Sequence, residues 1–190
     1  QPEQTIAFCE YATQKSAAIM IGYTHLYNPY FQKLKSLVES DANKIRSINS
    51  VSGAPGPVRP AVPALWDWGV HDISMCLDII SESPEGLTLD EMECCEKISS
   101  SAGNFRINLN YMSNLKADLY FGNQMHQKVK QFSIAYDGYM YIFDDLSEYK
   151  LVKKYDSGKS EIITIDSQIL PLENLVKSFC DQITLKTLSK

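Results

Sequence analysis

The sequence predicts an α+β protein built on an open, mainly antiparallel β-sheet with helices on one face. Two observations carry this prediction. Apolar and polar residues alternate over most of the second half of the chain, which is typical of half-buried strands. The dipeptide Asp137-Gly138 lies between two of these segments and is a strong short signal for a β-hairpin. Strand patterns fit 44–51, 105–111, 117–121, 130–136, 139–143, 148–154 and 160–165.

Helical patterns occupy both ends of the chain and the region around position 70. Residues 3–15 fit a helix, and Asn28 with Pro29 supplies an N-cap and a first helical residue for the next one. A third helix is predicted over 67–80, with Val70, Ile73, Leu77 and Ile80 on one face. A final helix begins at Pro171. Residues 86–98 carry mixed signals for helix and strand.

The composition of the chain argues against several classes of protein. The chain has 190 residues, a formal net charge of -5 and no basic cluster, so nucleic acid is not an expected partner. Its longest apolar run, Ala17–Ile21, is too short to span a membrane. The five cysteines, including the adjacent Cys94 and Cys95, form neither a CxxC motif nor a disulfide framework. We therefore expect a cytoplasmic protein with reduced thiols.

The short apolar run Ala17–Ile21 follows the first helix and ends at Gly22. Such runs suit strands buried on both faces of a parallel sheet. A helix followed by a buried strand would close a doubly wound α/β unit, where ligands bind beyond the carboxyl ends of the strands. The residues after the run include His25 and Tyr27, which would face such a cleft or pack at a domain junction.

The segment Trp66–Asp72 concentrates residues that can perform chemistry. Asp67 and His71 are four positions apart, so one helix face would hold both side chains. An imidazole with a pKa near about 6.5 can accept a proton at neutral pH, and a carboxylate can fix its tautomer. We therefore predict that His71 is a general base and Asp67 its partner. In the alternative interpretation, Asp67 caps the helix and His71 packs under a tryptophan.

Two further possibilities concern ligands of the same region. Arg59 is the only charged residue of the proline-rich loop 53–63, where it would contact an anion or stay in solvent. His25, Asp67 and His71 are ligand types that zinc accepts, but two of them form one i, i+4 pair and no fourth ligand is evident. No metal site is therefore predicted.

Alternating tyrosines on the predicted strands suggest a homodimer through the open sheet face. These tyrosines are Tyr111, Tyr120, Tyr136, Tyr139 and Tyr141.

Three segments of the sequence resemble motifs of the Gfo/Idh/MocA family of NAD(P)-dependent oxidoreductases, which act mostly on sugars and cyclitols. Residues 19–29 resemble the last Rossmann strand of the family and the turn after it. Residues 66–73 resemble its D-x-G-x-H-x-x-D segment, in the branch that writes W-D-W-G-P-H-D and often uses nucleotide-linked amino sugars. Residues 135–145 resemble its G-x-x-G-x-x-x-x-D-D hairpin.

The resemblance implies roles for individual residues. His71 would take the hydroxyl proton of the substrate, and Asp67 would orient His71 or the sugar. Tyr27 and Asn28 would lie near the nicotinamide and the substrate. The remaining expected contacts are Arg59, Trp66 and Trp68 to the substrate, and Tyr23 and Thr24 to the cofactor.

The resemblance also implies a division of the chain. Residues 1–24 would be the C-terminal remnant of a nucleotide-binding Rossmann domain, and 25–190 the substrate and dimerisation domain. The family's G-x-G-x-x-G loop and its lysine in an E-K-P segment have no counterpart in the sequence. We therefore expect NAD or NADP in a longer protein, and neither cofactor binding nor turnover by this chain alone. The alternative is a binding or scaffolding module without redox chemistry.

Overall fold

The computed structural model describes residues 2–80, 82–91 and 101–184. The helices are α1 (Pro2–Gln14), α2 (Pro29–Ser40), α3 (Val70–Ile79) and α4 (Pro171–Thr184). A 3₁₀ turn at Thr24–Tyr27 precedes α2, and a π-helical turn at Leu65–Gly69 runs directly into α3. The strands are β1 (Ser47–Pro55), β2 (Gly86–Glu91), β3 (Asn104–Asn110), β4 (Lys116–Gly122), β5 (Gln124–Ala135), β6 (Tyr139–Asp144), β7 (Leu151–Tyr155) and β8 (Ser160–Ile162).

These eight strands form one open sheet in the order β2-β3-β4-β1-β5-β6-β7-β8. Among these pairings, the one between β1 and β4 is parallel and the others are antiparallel. The predicted open, mainly antiparallel sheet is therefore confirmed. The Asp137-Gly138 hairpin also forms, and Gly138 adopts a φ of 87° that favours glycine in this tight turn.

The core lies between one face of the sheet and helices α2 and α3. Alternation along β1, β3, β4 and β5 directs one set of side chains to this face, and residues such as Ile48, Leu119 and Phe132 are almost fully buried. Phe31 and Leu34 of α2 pack on the same cluster. The other face carries Val51, Tyr120 and Ile142, each placed between two core-facing neighbours.

The helix α1 confirms the prediction for 3–15, but the predicted strand at Ala17–Ile21 does not form. The segment has no regular secondary structure, and Ile19 and Ile21 are 43% and 66% exposed. A strand needs a neighbour to satisfy its backbone groups, and no described strand lies beside this segment.

The buried face of α3 differs from the predicted one. Asp72, Met75, Cys76 and Ile79 are buried, whereas Leu77 is 47% exposed. Of the predicted face, Ile80 is buried and Ile73 packs against the core, whereas the prediction was wrong for Leu77. The buried Asp72 was not part of the prediction. Asp72 points into the core because two serine hydroxyls of β1 donate hydrogen bonds to its carboxylate, as described below.

The predicted row of surface tyrosines was also wrong in its placement. Tyr111, Tyr136 and Tyr141 are 4%, 6% and 5% exposed and belong to the core cluster, and Tyr139 packs against it. Of the five, Tyr120 is on the open face. The aromatic alternation was correct, but it marked the helix-covered face of the sheet.

The remaining sequence predictions concern residues 86–98, the cysteines and membrane-spanning helices. Of residues 86–98, the structure describes 86–91, which form β2, and the rest lie outside the described residues, as do Cys94 and Cys95. Cys9, Cys76 and Cys180 are free thiols. Among the helices of the described residues, none has the length and hydrophobicity needed to cross a membrane.

At Gly69, the backbone of the π-helical turn lies very close to a side chain of the sheet. A Cβ at this position would lie 2.5 Å from Cζ of Phe121, a fully buried ring of β4. Glycine to alanine inside a helix ordinarily stabilises by about 1 kcal/mol. We expect Gly69→Ala instead to lower the free energy of unfolding by about 1–3 kcal/mol, because the rigid ring has to move.

Urea denaturation measures this change, with Gly22→Ala as the matched control. A Cβ at Gly22 meets nothing within 4 Å, so we expect a change within about 0.5 kcal/mol. Equal midpoints for Gly69→Ala and the wild type would contradict the close packing.

Candidate functional site

The segment Trp66–Asp72 lies inside a helix rather than at its start. The helical backbone begins at Ala64, just after Pro63, and passes through the π-helical turn into α3. The backbone N–H groups of Trp66 and Asp67 donate to the carbonyl of Pro63 at 2.9 and 3.1 Å. His71 therefore stands beyond the first turn, where the dipole effect of a helix N-terminus has fallen off.

A cavity of about 290 Å³ opens between this helix and the carboxyl end of β1. Asp67, Trp68 and His71 form its helical wall, and Lys128 and Lys130 of β5 form the facing wall. The remaining lining residues are His25, Ser52, Pro57, Arg59, Asp145 and Leu146. The structure thus brings the predicted general base and its predicted partner to one cavity.

Asp67 forms its ion pair with Arg59, not with a ring nitrogen of His71. The Asp67 side chain is 14% exposed and the Arg59 side chain 60% exposed. Nδ1 of His71 is buried and has no hydrogen-bond partner within the described residues. Asp67 still acts on His71 through its charge, which opposes a lowering of the His71 pKa. Neither the predicted hydrogen bond nor a capping role for Asp67 is present.

His25 and His71 stack on each other with ring centroids 4.5 Å apart and an interplanar angle of 28°. Burial, the positive charge of Lys130 and the neighbouring His71 lower the pKa of His25 to about 3. Burial and Lys130 also lower the pKa of His71. Both rings are therefore neutral at neutral pH, for reasons of burial and charge rather than helix position.

Lys130 is held by a network that reaches back to α2. Its ammonium lies 2.8 Å from Oδ2 of Asp145, and Lys150 contacts Oδ1 of the same carboxylate at 3.3 Å. Burial opposes ionisation of Asp145, but these two lysines outweigh it and lower the pKa of Asp145 to about 2. Nδ2 of Asn28 donates to Oδ1 of Asp145 at 2.9 Å.

Beneath the cavity, Asp72 accepts hydrogen bonds from the hydroxyls of Ser50, at 2.5 Å, and Ser52. Asp72 is 3% exposed, and burial raises its pKa despite these bonds and the nearby charge of Lys130. Ser52 lies directly opposite Lys130 in the β1–β5 register. Asp72 lines a small adjoining cavity together with His25, Ser52 and Lys130.

The other residues predicted to bind ligands occupy different positions. Asn28 is 5% exposed, caps α2 by accepting from the N–H of Tyr30 and holds Asp145, so it acts one layer behind the cavity. Trp68 lines the cavity, whereas Trp66 is 64% exposed and lies outside its lining. The carbonyl of Tyr27 accepts from Asn174 of α4 at 3.0 Å, and its side chain does not line the cavity.

The alternation along β5 contains a signal for Lys130 that does not depend on any motif. Lys130 has the same parity on β5 as Phe132 and Ile134, so alternation places its side chain on the core face. A charged residue in such a register is costly unless a partner or a ligand meets it. The same parity brings Lys128 to the cavity wall. Both lysines are functional candidates found from the structure.

The arrangement of the site residues also bears on metal and cofactor binding. In residues 2–80, 82–91 and 101–184, no three His, Cys, Asp or Glu side chains are grouped so that they could hold a metal ion. The Thr24 hydroxyl donates to the carbonyl of Gly22 at 3.2 Å, and neither Tyr23 nor Thr24 lines the cavity. The chain also lacks a phosphate-binding G-x-G-x-x-G turn. The two residues predicted to contact the cofactor therefore lie outside the lining of this cavity.

No protein-family model matches the sequence. No curated protein matches it either. Solved structures do match the fold. One is a presumed oxidoreductase from Magnetospirillum magnetotacticum, with 26% identity and a TM-score of 0.82 over 97% of this chain and 61% of the other.

Two neighbours whose names state an activity have the same fold at lower identity. The UDP-N-acetylglucosamine 3-dehydrogenase of Acidithiobacillus ferrooxidans has 14% identity and a TM-score of 0.79, covering 97% of this chain and 58% of that one. The aldose-aldose oxidoreductase of Caulobacter crescentus, solved with glycerol, has 14% identity and a TM-score of 0.77 with the same coverages. The chain thus spans about three fifths of these neighbours.

The fold is therefore shared with one part of the chain of several solved oxidoreductases and dehydrogenases. These neighbours include enzymes that act on sugars. At the lower identities, the similarity extends to the fold alone.

The neutral state of His25 gives a testable pH dependence. Unfolding restores its ordinary pKa near 6.5, so the unfolded chain binds more protons than the folded chain between about pH 3 and 6.5. The contribution of His25 to the free energy of unfolding is therefore fully present above this window, and it is lost as the pH decreases through it. From pH 7 to 5, we expect His25 to account for a loss of at most about 2 kcal/mol.

Urea denaturation of His25→Gln at both pH values measures this contribution. We expect the variant to lose less stability on acidification than the wild type, whatever its absolute stability. His126→Gln is the matched control because His126 is exposed and does not line the cavity. Parallel pH profiles for His25→Gln and the wild type would contradict a buried, neutral His25.

Proposed function

We propose that this chain is the substrate-binding and dimerisation portion of an NAD(P)-dependent oxidoreductase that acts on a hydroxyl of a sugar, nucleotide sugar or cyclitol. One observation carries the proposal: a neutral imidazole, His71, lies in the wall of a cavity on a fold shared with oxidoreductases. The two sugar-acting neighbours support the substrate class, and the D-x-G-x-H resemblance supports the role of His71.

In the proposed reaction, His71 accepts the proton of the substrate hydroxyl. Burial and Lys130 keep the ring unprotonated beforehand, so it is ready to accept at neutral pH. The charge of Asp67 favours the imidazolium once the proton has moved. Trp68 supplies an apolar surface on which a sugar ring can pack.

The carbon that bears this hydroxyl would lose a hydride to the nicotinamide. The nicotinamide would be bound by NAD(P)-binding residues outside this chain. We propose that Tyr23 and Thr24, just before α2, contact that cofactor only when the rest of its binding site is present. The chain alone is then expected to bind NAD(P) weakly at most, because no turn in it cradles the pyrophosphate.

Replacing His71 in the complete enzyme tests the proposal. Loss of a general base typically costs about 10²–10⁴-fold in rate, so His71→Ala should lower kcat by about that factor while cofactor affinity survives. Asp67→Asn should cost less, because it removes only a charge near the ring and the ion pair with Arg59.

His126→Ala is the control, since its side chain lies on the exposed part of β5. A kcat for His71→Ala within about threefold of the wild type would exclude His71 as the base. The non-catalytic alternative, a binding or scaffolding module of the same fold, would gain support if the complete protein bound sugars but never reduced NAD(P).

A homodimer through the open sheet face remains part of the proposal, but on different residues. The buried tyrosines no longer support it. The open face instead presents Val51, Tyr120 and Ile142 on β1, β4 and β6. Homodimer interfaces are more apolar than the rest of a surface, and these three side chains would be their apolar contribution. We also propose a cytoplasmic location, as expected for free thiols.

Analytical ultracentrifugation measures the assembly. We expect the wild type to sediment as a dimer and Val51→Glu as a monomer, because a carboxylate on the central strand would be buried at the interface. Leu77→Glu is the control, since Leu77 is exposed on the helical side. A wild type that stays monomeric at high concentration would refute this assembly.

A further inference from the structure

We propose that the substrate of this cavity carries an anionic group, a carboxylate or a phosphate, and that Lys128 is the residue that recognises it. The inference rests on the proposed function and specifies its substrate class. It follows from the charges that line the cavity and from the pairs they form.

The lining contains three permanent cations, Arg59, Lys128 and Lys130, and two carboxylates, Asp67 and Asp145. Arg59 is matched by Asp67, and Lys130 by Asp145. Lys150 adds a further positive charge behind Asp145. Lys128 has no ion-pair partner in the part of the chain that the structure describes. The cavity wall is therefore positive, although the whole chain has a formal net charge of -5.

The charge of Lys130 also acts on the two histidines of the cavity. Burial, together with the charge of Lys130, lowers the pKa of both rings, so neither histidine adds a further cation at neutral pH. An anion bound on this wall would offset that effect and make protonation of His71 easier. A charged substrate would thus bring its own contribution to the proton transfer proposed above.

The geometry separates recognition from reaction. Lys128 and Lys130 are two residues apart on β5, so their Cα atoms lie roughly 6.5–7 Å apart along the strand. Lys130 lies opposite Ser52, near the histidines, and Lys128 lies one step further towards the exposed end of β5. A sugar that presents its reacting hydroxyl to His71 can therefore extend an acidic substituent to Lys128. A cavity of about 290 Å³ is close to the lower limit of small-molecule sites.

The predicted anion contact of Arg59 changes under this interpretation. Arg59 is on the cavity lining as expected, but Asp67 already occupies its guanidinium. Lys128 is the cation that remains available. The sequence singled out Arg59 because it was the only charge in a stiff loop, whereas the free charge lies on the facing strand.

Histidine ring signals in NMR spectra test the proposal with the chain as it exists. The chain has three histidines: His25 and His71 line the cavity, and His126 serves as an internal reference. The titrants are glucose, glucuronate and glucose 1-phosphate, which are neutral, carboxylated and phosphorylated. We expect at least one anionic sugar to shift the two cavity rings at lower concentration than glucose does.

The matched variants are Lys128→Gln and Lys116→Gln. Loss of one charge-assisted contact should weaken binding of the anionic sugar by about tenfold and leave glucose unchanged. Lys116 is exposed at the start of β4, beside the start of β1, whereas the cavity lies at the carboxyl end of β1. Lys116→Gln should therefore behave as the wild type. A response to glucuronate alone would identify a carboxylate as the ligand, and a response to glucose 1-phosphate alone would identify a phosphate.

Two results would overturn the inference, and they differ in what they leave standing. If glucose binds as tightly as both anionic sugars and Lys128→Gln has no effect, the substrate is neutral and the proposed sugar oxidoreductase survives. If none of the three compounds shifts the cavity histidines, the anionic substrate is excluded and the proposed sugar site is weakened with it.

Discussion

The positive charge of Lys130 on the core-facing side of β5 determines the arrangement of the site. A lysine in this register costs free energy unless its ammonium is paired, and Asp145 provides the pair at 2.8 Å. Asn28 then fixes Asp145, and because it also caps α2, the helix and the ion pair are held by one side chain. Together with burial, the same charge lowers the pKa of both stacked histidines. A single cation thereby links the helix cap, the carboxylate and the candidate base.

The sheet was predictable from sequence because its signals are local. Alternation of apolar residues and the Asp137-Gly138 turn depend on neighbours a few positions apart, and both were confirmed. The strand at Ala17–Ile21 was different, because an apolar run becomes a strand only where another strand is present to pair with it. The burial of Asp72 on α3 was missed for a related reason, because its hydrogen-bond partners lie 20 and 22 residues away.

The candidate site was predictable only in part. Spacing and residue chemistry identified Asp67, His71 and Trp68, which all line the cavity. Spacing did not show that Asp67 pairs with Arg59 or that His25 stacks on His71, because these contacts join different elements. Asn28 was correctly identified as a cap, and this role explains why it lies behind the cavity. The lysines of β5 required the sheet register to be known.

The positions of the two tryptophans have a practical consequence. The chain contains only two, Trp66 and Trp68, and both belong to the turn that borders the cavity. Trp66 is 64% exposed, whereas Nε1 of Trp68 is buried in the wall. Intrinsic fluorescence excited at the indole band therefore arises at this turn, with no background from the sheet. The emission maximum and its quenching by iodide become an unlabelled optical reporter of whether the cavity is open to water or filled.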